Sequence, residues 1–542
     1  MKKYIYIVSA VLAFTSCVRD LDTKPLNATD PIADYVYGNS EQAYLEGLTR
    51  LYFQFATNDL TDLQNMDGGA SEIVRAFWSV QETSTDEAKC SWGNDAWVRA
   101  LNTNTWSDAQ NEAVYAVYVR AMQGISYVNE FLRQTTPDRL SDRNVDATLA
   151  SKIDVFRAEA RFIRSYLYWM ALDTFGSVPL ITEDSPIGGD YFPKQASRTE
   201  IFNYCVSELT DLLSQESSLA EPRHLYPRAD KGSAAGLLAR LYVNAEVYTG
   251  TAMWEEAKSV CEDIFYMDYS LCPEYAWLFR GDNGQNMQAR NELLWVIDYS
   301  DFSTNSYGGT FYLLAAALAS TDITDESRPN GQRHGWAGLR VPYEFVQRYF
   351  DVTGQNYQTG EYQVADKRGA MFYIKGRHQS MQDNLYDYMY GWSCLKYNNI
   401  PHDQTNESFL SISAGKDFSD VDYPMIRLAE IYLIYAEACM RLDQQSLAMP
   451  YVQALASRAG VSAPEEITED FLVAERAREL MWEGHRRTDL IRFGLFHTDE
   501  YLWPYKGGDD FSGQAFPAYK CVFALPSTEL AANPQLIQNS GY

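Results

Sequence analysis

Tyr423-Pro-Met-Ile-Arg-Leu-Ala-Glu-Ile-Tyr-Leu-Ile-Tyr-Ala-Glu-Ala438 and, further on, Glu475-Arg-Ala-Arg-Glu-Leu-Met-Trp-Glu-Gly-His-Arg-Arg-Thr-Asp-Leu-Ile-Arg-Phe-Gly494 decide the fold. In the first stretch Leu428, Ile431, Tyr432, Tyr435, Cys439 and Leu442 recur at the spacing of one buried helical stripe. Pro424 falls near the expected helix N-terminus, where a missing N–H costs nothing. Arg427, Glu430, Glu437 and Arg441 occupy the other face, three or four apart, so they can pair along the helix. In the second stretch Ala477, Leu480, Met481, Thr488 and Ile491 repeat the helical spacing. Glu483 and Arg487 stand one turn apart there, and Gly494 is placed to end the helix. The residues alone predict a charged helical hairpin, a scaffold whose carboxylates and guanidiniums lock helices together.

Outward from that hairpin the helical period returns. Ser40 is placed to cap a helix carrying Tyr44, Leu45, Leu48, Leu51, Tyr52 and Phe55 on one face. Periodic stretches follow at 112–133 and 156–172, and three more between 199 and 267. Arg157, Arg161 and Arg164 line one face of the second, set to pair with acidic helices such as the one holding Glu437. The stretches 58–111 and 271–420 differ: Gly, Asn, Asp, Ser, Thr and Tyr dominate, and apolar runs such as Glu292-Leu-Leu-Trp-Val-Ile297 are short. Loops of this kind, carried on a rigid scaffold, are where function concentrates.

Composition narrows the function. A net charge of −28 excludes a nucleic-acid partner, whose phosphates need a basic surface, and disfavours anionic polymers. A neutral partner remains. Aromatic residues make up 14% of the chain, with 39 Tyr and 12 Trp, more than a core requires unless some are used at the surface. Seven cysteines after Cys17 (Cys90, Cys205, Cys261, Cys272, Cys394, Cys439 and Cys521) show no CxxC spacing and read as buried thiols. The six histidines are scattered, so neither a metal nor a cofactor is expected. No carboxylate pair, nucleophile elbow or phosphate loop stands out, which argues against an enzyme. At the start, Lys2 and Lys3, an apolar run over 4–14 and then Thr15-Ser16-Cys17 read as an export signal ending at an acylated cysteine, followed by a polar tether.

The C-terminal hairpin resembles the signature of the SusD/RagB family. So do Phe156-Arg-Ala-Glu-Ala-Arg-Phe-Ile-Arg-Ser-Tyr-Leu-Tyr-Trp169 with Phe175-Gly-Ser-Val-Pro-Leu180, and the tail segments Pro526-Ser-Thr-Glu-Leu530 and Asn539-Ser-Gly-Tyr542. The resemblance implies a mainly α protein with a tetratricopeptide-like helical scaffold and large loop-rich insertions. Ala234 to Glu246 followed by Trp254-Glu-Glu-Ala-Lys-Ser-Val-Cys261 looks like one such helix pair, and 425–460 like another. The expected division is a signal peptide over 1–16, a lipidated tether over 17–39 and one domain over 40–542. Its scaffold would comprise 40–57, 112–270 and 421–495, with glycan-binding loops at 58–111 and 271–420. The family also implies a lipid anchor at Cys17, an outer-membrane location facing the cell exterior, and delivery of glycan to a SusC-like TonB-dependent transporter.

Sugar rings present apolar C–H faces that pack on aromatic rings, while their hydroxyls need polar neighbours. Trp92 in Cys90-Ser-Trp-Gly-Asn-Asp95, Trp336 in His334-Gly-Trp-Ala-Gly338 and Tyr307 in Ser306-Tyr-Gly-Gly-Thr310 lie among turn residues that suit exposed platforms. The run Asp67-Gly-Gly-Ala-Ser-Glu-Ile-Val-Arg75, with Thr85-Asp-Glu87 and the Trp92 segment, resembles the starch-binding type of the family. In that type an arc of two tryptophans and a tyrosine grips an α-glucan, helped by an aspartate, an arginine and an asparagine. The resemblance implies that Trp92, Trp336 and Tyr307 form the arc, with Asp67, Arg75 and either Asn94 or Asp95 as polar partners. It assigns the Asp86-Glu87 pair a structural role. Another glycan, such as a fructan, and a helical protein-interaction module stand as the alternatives.

Overall fold

The computed structural model describes residues 36–57, 63, 66, 69–107 and 111–542. The expectations for the signal, Cys17 and the start of the tether, and for Asp67, fall outside these residues. The described chain is mainly helical, with strands confined to two-stranded ladders. The helix Ala147–Phe175 is central: Asp146 caps it by accepting from Leu149 N, and every residue from Phe162 to Phe175 is buried. Gly176, with φ 75°, ends it in a conformation that a side chain would resist. It packs between Glu112–Gln134 and Arg198–Leu213, the latter opened by a Ser197/Glu200 capping box. Lys231–Val243 packs in turn on Arg198–Leu213, Trp254–Phe265 and Leu428–Arg441, so the middle and the C-terminal part of the chain share one core. Leu428–Arg441 also packs against Gln445–Ala459, as a helix pair.

The deciding stretch folds differently from its periodicity in three respects. Pro424 does not open a helix: Tyr423–Arg427 is a buried strand, paired antiparallel with Leu293–Ile297, and the helix starts at Leu428. The expected helix over 475–494 is broken, Glu469–Glu479 being followed by Arg486–Arg492, with Trp482 at φ 63° and Gly484 at φ 80° between them. Glu483 therefore does not pair with Arg487; it binds Arg427 (2.6 Å) and Lys396 (2.6 Å), while Arg487 donates to the Cys521 carbonyl (2.8 Å). The break is held by carboxylates from far away in the chain: Glu82 accepts from Gly484 N and His485 N, and Glu87 from Trp482 N.

The charges do not pair along the helix either. Arg427, Glu430 and Glu437 are buried and pair across elements: Arg427 with Glu292, Glu479 and Glu483, Glu430 with Arg240, and Glu437 with Arg492. Arg161 and Arg164 meet Glu208 on the next helix, and Arg164 also meets Glu183, while Arg157 donates to Leu132 O and Thr135 Oγ1. None of the three reaches Glu437. Ser40 occupies the N-cap of Glu41–Phe53, but its side chain makes no capping bond. The Asp86-Glu87 pair is structural as expected, with Asp86 on Arg486 at 2.8 Å.

Candidate functional site

The helix Gly309–Ala316 is entirely buried and apolar, so the carbonyls at its C-terminus need donors. The segment after it supplies them: Trp336 N donates to Ala315 O (2.8 Å), Gly338 N to Ala316 O (2.9 Å) and Ala337 N to Leu318 O (2.8 Å). This strap fixes Trp336 and runs into the strand Leu339–Arg340, which pairs antiparallel with Lys89–Cys90. The partner strand leads directly to Trp92. There Ser91 N and Oγ bond the carbonyls of Gly338 (2.9 Å) and Ala337 (2.5 Å), and Trp92 Nε1 donates to Trp336 O (3.3 Å). The Trp92 indole lies over Gly338, where an added Cβ would come within 2.7 Å of Cζ2. Glycine there serves close approach.

Tyr307 is set by the other end of the same helix. Glu72, the N-cap of Ile73–Glu82, accepts from Tyr299 Oη (2.8 Å) and Ser306 Oγ (3.2 Å), tying the Tyr307 loop to the helix that carries Arg75. Burial pushes the Glu72 carboxyl up to about 7, against hydrogen bonds that pull it down. Arg75 Nη1 donates to Tyr307 O at 3.1 Å.

Trp92, Trp336 and Tyr307 thereby line one open cleft of about 1020 Å³ together with Arg75, Asn94, Asp95, Ser91, Gly93 and Tyr386. Ring centroids step 6.2 Å from Tyr307 to Trp336 and 6.5 Å from Trp336 to Trp92. Tyr307 is exposed and both indoles are half-buried, so each ring keeps a face or edge for a ligand. Arg75 is buried behind them, its guanidinium carbon 5.8 Å from the Trp92 ring centroid and 6.0 Å from that of Trp336. Asn94 is exposed at the cleft edge, and Asp95 occupies the N-cap of Ala96–Asn102 without a side-chain capping bond. Every candidate within the described residues falls in this cleft.

Ser91 and Tyr386 were not anticipated. Tyr386 sits in Asp383-Asn-Leu-Tyr-Asp-Tyr-Met-Tyr390, a tyrosine-rich run between turn residues that carries the same kind of signal as the Trp92 segment. The Cys90 thiol beside Trp92 is pushed up to about 11 by burial, which leaves it a poor nucleophile. Away from the cleft, Asp282, His402 and Asp403 come within metal-sharing distance of one another, but His402 Nδ1 and Asp282 Oδ2 already bond each other at 2.5 Å. No helix among the described residues is long and apolar enough to cross a membrane.

A helical scaffold that presents aromatic rings in an open, polar-edged cleft defines a class of ligand-capturing proteins. The SusD family pattern matches residues 291–542, and a second, described as "Starch-binding associating with outer membrane", matches 57–243. The starch-binding protein SusD of Bacteroides thetaiotaomicron is 30% identical over 97% of this chain and 96% of its own. This chain belongs to the SusD family. A SusD-like protein of Formosa agariphila, P25, is 24% identical over 80% of this chain and 82% of its own. Among solved structures, surface glycan-binding protein A of Bacteroides thetaiotaomicron in complex with laminarihexaose shares the fold, with a TM-score of 0.67 and 18% identity over 92% of this chain and 99% of its own.

Proposed function

We propose that the protein is a glycan-binding protein of the outer membrane that captures starch-like α-glucan oligosaccharides in the Trp92–Trp336–Tyr307 cleft. The observation that carries this reading is the convergence of three rings, 29 to 244 positions apart in sequence, on one open surface with Asn94, Asp95 and Arg75 at its edge and floor. The stepped, mutually tilted rings (53° and 38° between neighbours) offer a curved face, which suits a curved glucan better than a flat, extended chain. The 30% identity to a protein named for starch binding supports the same substrate. Asp67, Arg75 and either Asn94 or Asp95 are the proposed partners for sugar hydroxyls. Acylated Cys17 is the proposed anchor, on the cell exterior, and a TonB-dependent transporter of the SusC type the proposed recipient.

The protein is proposed to act by binding, not catalysis. Isothermal titration of the wild type against maltoheptaose, laminarihexaose and a fructan oligosaccharide tests the substrate. Binding to maltoheptaose with little heat from the other two is expected. Preference for either of the others would replace starch, and binding to none would remove the sugar reading.

A further inference from the structure

A second cavity, of about 340 Å³, lies between the turn Tyr275–Phe279, the turn Lys367–Met371 and the ladder of Phe372 with Cys394, and it shares no lining residue with the aromatic cleft. Its frame is held by backbone bonds: Asn398 N donates to Phe279 O (2.9 Å) and Leu395 N to Met371 O (2.7 Å), while Asp366 caps the second turn by accepting from Arg368 N (2.9 Å). Five cations line the cavity, Arg280, Lys367, Arg368, Lys396 and Arg458, against one acid, Glu274, in a chain whose net charge is −28.

Three of the five are already neutralised from behind. Arg368 is bonded to Asp366 (2.7 Å), Glu475 (2.7 Å) and Glu479 (2.8 Å), Lys396 to Glu483 (2.6 Å), and Arg458 to Glu292 (2.6 Å) and Glu479. Arg280 and Lys367 are not: among the described residues the side chain of neither makes a hydrogen bond or an ion pair. Lys367 is exposed, its carbon stem lying beside Gly460. Arg280 is half-buried, and burial pushes its guanidinium below the usual range. Asp282, whose charge opposes that push, is bonded instead to His402 (2.5 Å). A guanidinium taken partly out of water without a partner is a cost that a bound anion would relieve. The rest of the wall is apolar, made by Tyr275, Met371, Phe372 and Leu395.

We propose that this cavity is a binding site for a small organic carboxylate, with Arg280 and Lys367 supplying the charge and the apolar wall taking the body of the ligand. The planar fork of a guanidinium matches the two oxygens of a carboxylate. An inorganic anion would meet the charges but leave the wall bare, and the volume falls at the lower end of the roughly 300–1,000 Å³ of small-molecule sites. The net charge of the chain repels an anionic polymer along its length. Salt, however, screens charges more than about 8 Å apart, so a single carboxylate inside the cavity meets chiefly the two unpaired cations.

The test is isothermal titration of the full chain with glucuronate and benzoate, beside glucose, which lacks the charge, and sulfate, which lacks the organic body. Both carboxylates are expected to bind, less tightly as salt is added, with glucose and sulfate at least about tenfold weaker. Arg280→Gln breaks no bond within the protein, so it should fold as the wild type does and weaken both carboxylates about tenfold. Ala370→Trp fills the cavity from an exposed lining position while keeping all five cations, and should do the same. Lys367→Gln should cost about threefold. Circular dichroism checks each variant, and if one unfolds the other two decide. A wild type that binds neither carboxylate overturns the site, as does affinity unchanged in the folded variants. Displacement by excess maltoheptaose would put the carboxylate in the aromatic cleft and overturn it too. Sulfate held as tightly as the carboxylates overturns the organic ligand.

Discussion

Trp336 is the middle step of the ring row, and its removal is the sharpest perturbation of the proposed site. Its backbone makes the structural bonds, N–H to Ala315 O and the carbonyl to Trp92 Nε1, and both survive truncation of the side chain. Trp336→Ala should therefore leave the fold intact while deleting the ring between Tyr307, at 6.2 Å, and Trp92, at 6.5 Å. A sugar covering one face of a half-buried indole hides roughly 60–100 Å² of it, an upper value of about 1.5–2.5 kcal/mol at roughly 25 cal/mol/Å². Stacking adds about 0.5–1.5 kcal/mol, and a solvent-open cleft returns part of the sum because the freed surface rehydrates. A net loss of at least about 1.4 kcal/mol, tenfold in affinity, is expected. Isothermal titration with maltoheptaose measures it, from a wild-type dissociation constant expected between about 1 µM and 1 mM, with circular dichroism as the folding control. Trp92→Ala should lose about as much. Undiminished affinity in both variants would refute the arc, and unfolding of both would return these tryptophans to the core.

Three further outcomes are expected. Cys17→Ala should release the protein from the membrane fraction; fatty-acid labelling that persists in the variant would show that the anchor lies elsewhere. Burial raises the Glu72 carboxyl from 4.5 to about 7, so the native state holds a proton there that the unfolded chain gives up above about pH 4.5; this contribution to stability, at most about 3 kcal/mol, is present at low pH and lost as pH rises through 7. Glu72→Gln should flatten that part of the stability profile in denaturant titrations at stepped pH, and an unchanged profile would contradict the assignment. Arg427→Met leaves Glu292, Glu479 and Glu483 facing one another with fewer cations, and should cost about 3–5 kcal/mol of unfolding free energy; a loss under about 1 kcal/mol would mean that the remaining partners Arg458, Arg368 and Lys396 suffice.

What could be read in advance was what lies close together in sequence. A helix is a local property, and the one expected from Leu428 onward forms; its single buried stripe does not, because both faces are packed and every residue from Leu428 to Cys439 except Tyr432 is buried. Trp92, Trp336 and Tyr307 were recognisable because glycines and turn residues flank them in sequence, although the close approaches that glycines allow here join distant parts of the chain. Gly338 lets the Trp92 indole lie against the chain, and Gly69 takes the backbone of Tyr307 close above it. Apart from the missing Ser40 capping bond, the failures are long-range. The helix expected over 475–494 breaks because the N–H groups of Trp482, Gly484 and His485 find carboxylates about 400 positions back, at Glu87 and Glu82, and no local pattern announces such partners. Arg427 was expected to pair along its own helix and fails to for the same reason, its three acids lying 52 to 135 positions away. Tyr386 carries a turn-flanked aromatic signal like that of Trp92, but its place in the cleft depends on Arg340 donating to three carbonyls of its loop, a backbone interaction that side-chain patterns do not encode.

These long-range contacts also explain how a rigid scaffold reaches the cleft. The segment that splints the break, Glu82 to Glu87, runs without a gap into the strand Lys89–Cys90 and then Trp92. Lys89, fully buried, donates to Thr83 O (3.3 Å) and Asn102 O (2.7 Å), so the six residues from Asp86 to Ser91 have little freedom. The strand pairs with Leu339–Arg340, and through it with the Trp336 strap and the Tyr386 loop. The buried acids and arginines of the C-terminal hairpin therefore hold the first ring of the cleft in place, and the ladder hands that position on to the others. A cleft built this way gives up little conformational entropy on binding, which lets a few stacking contacts, each worth about 1 kcal/mol, suffice for capture.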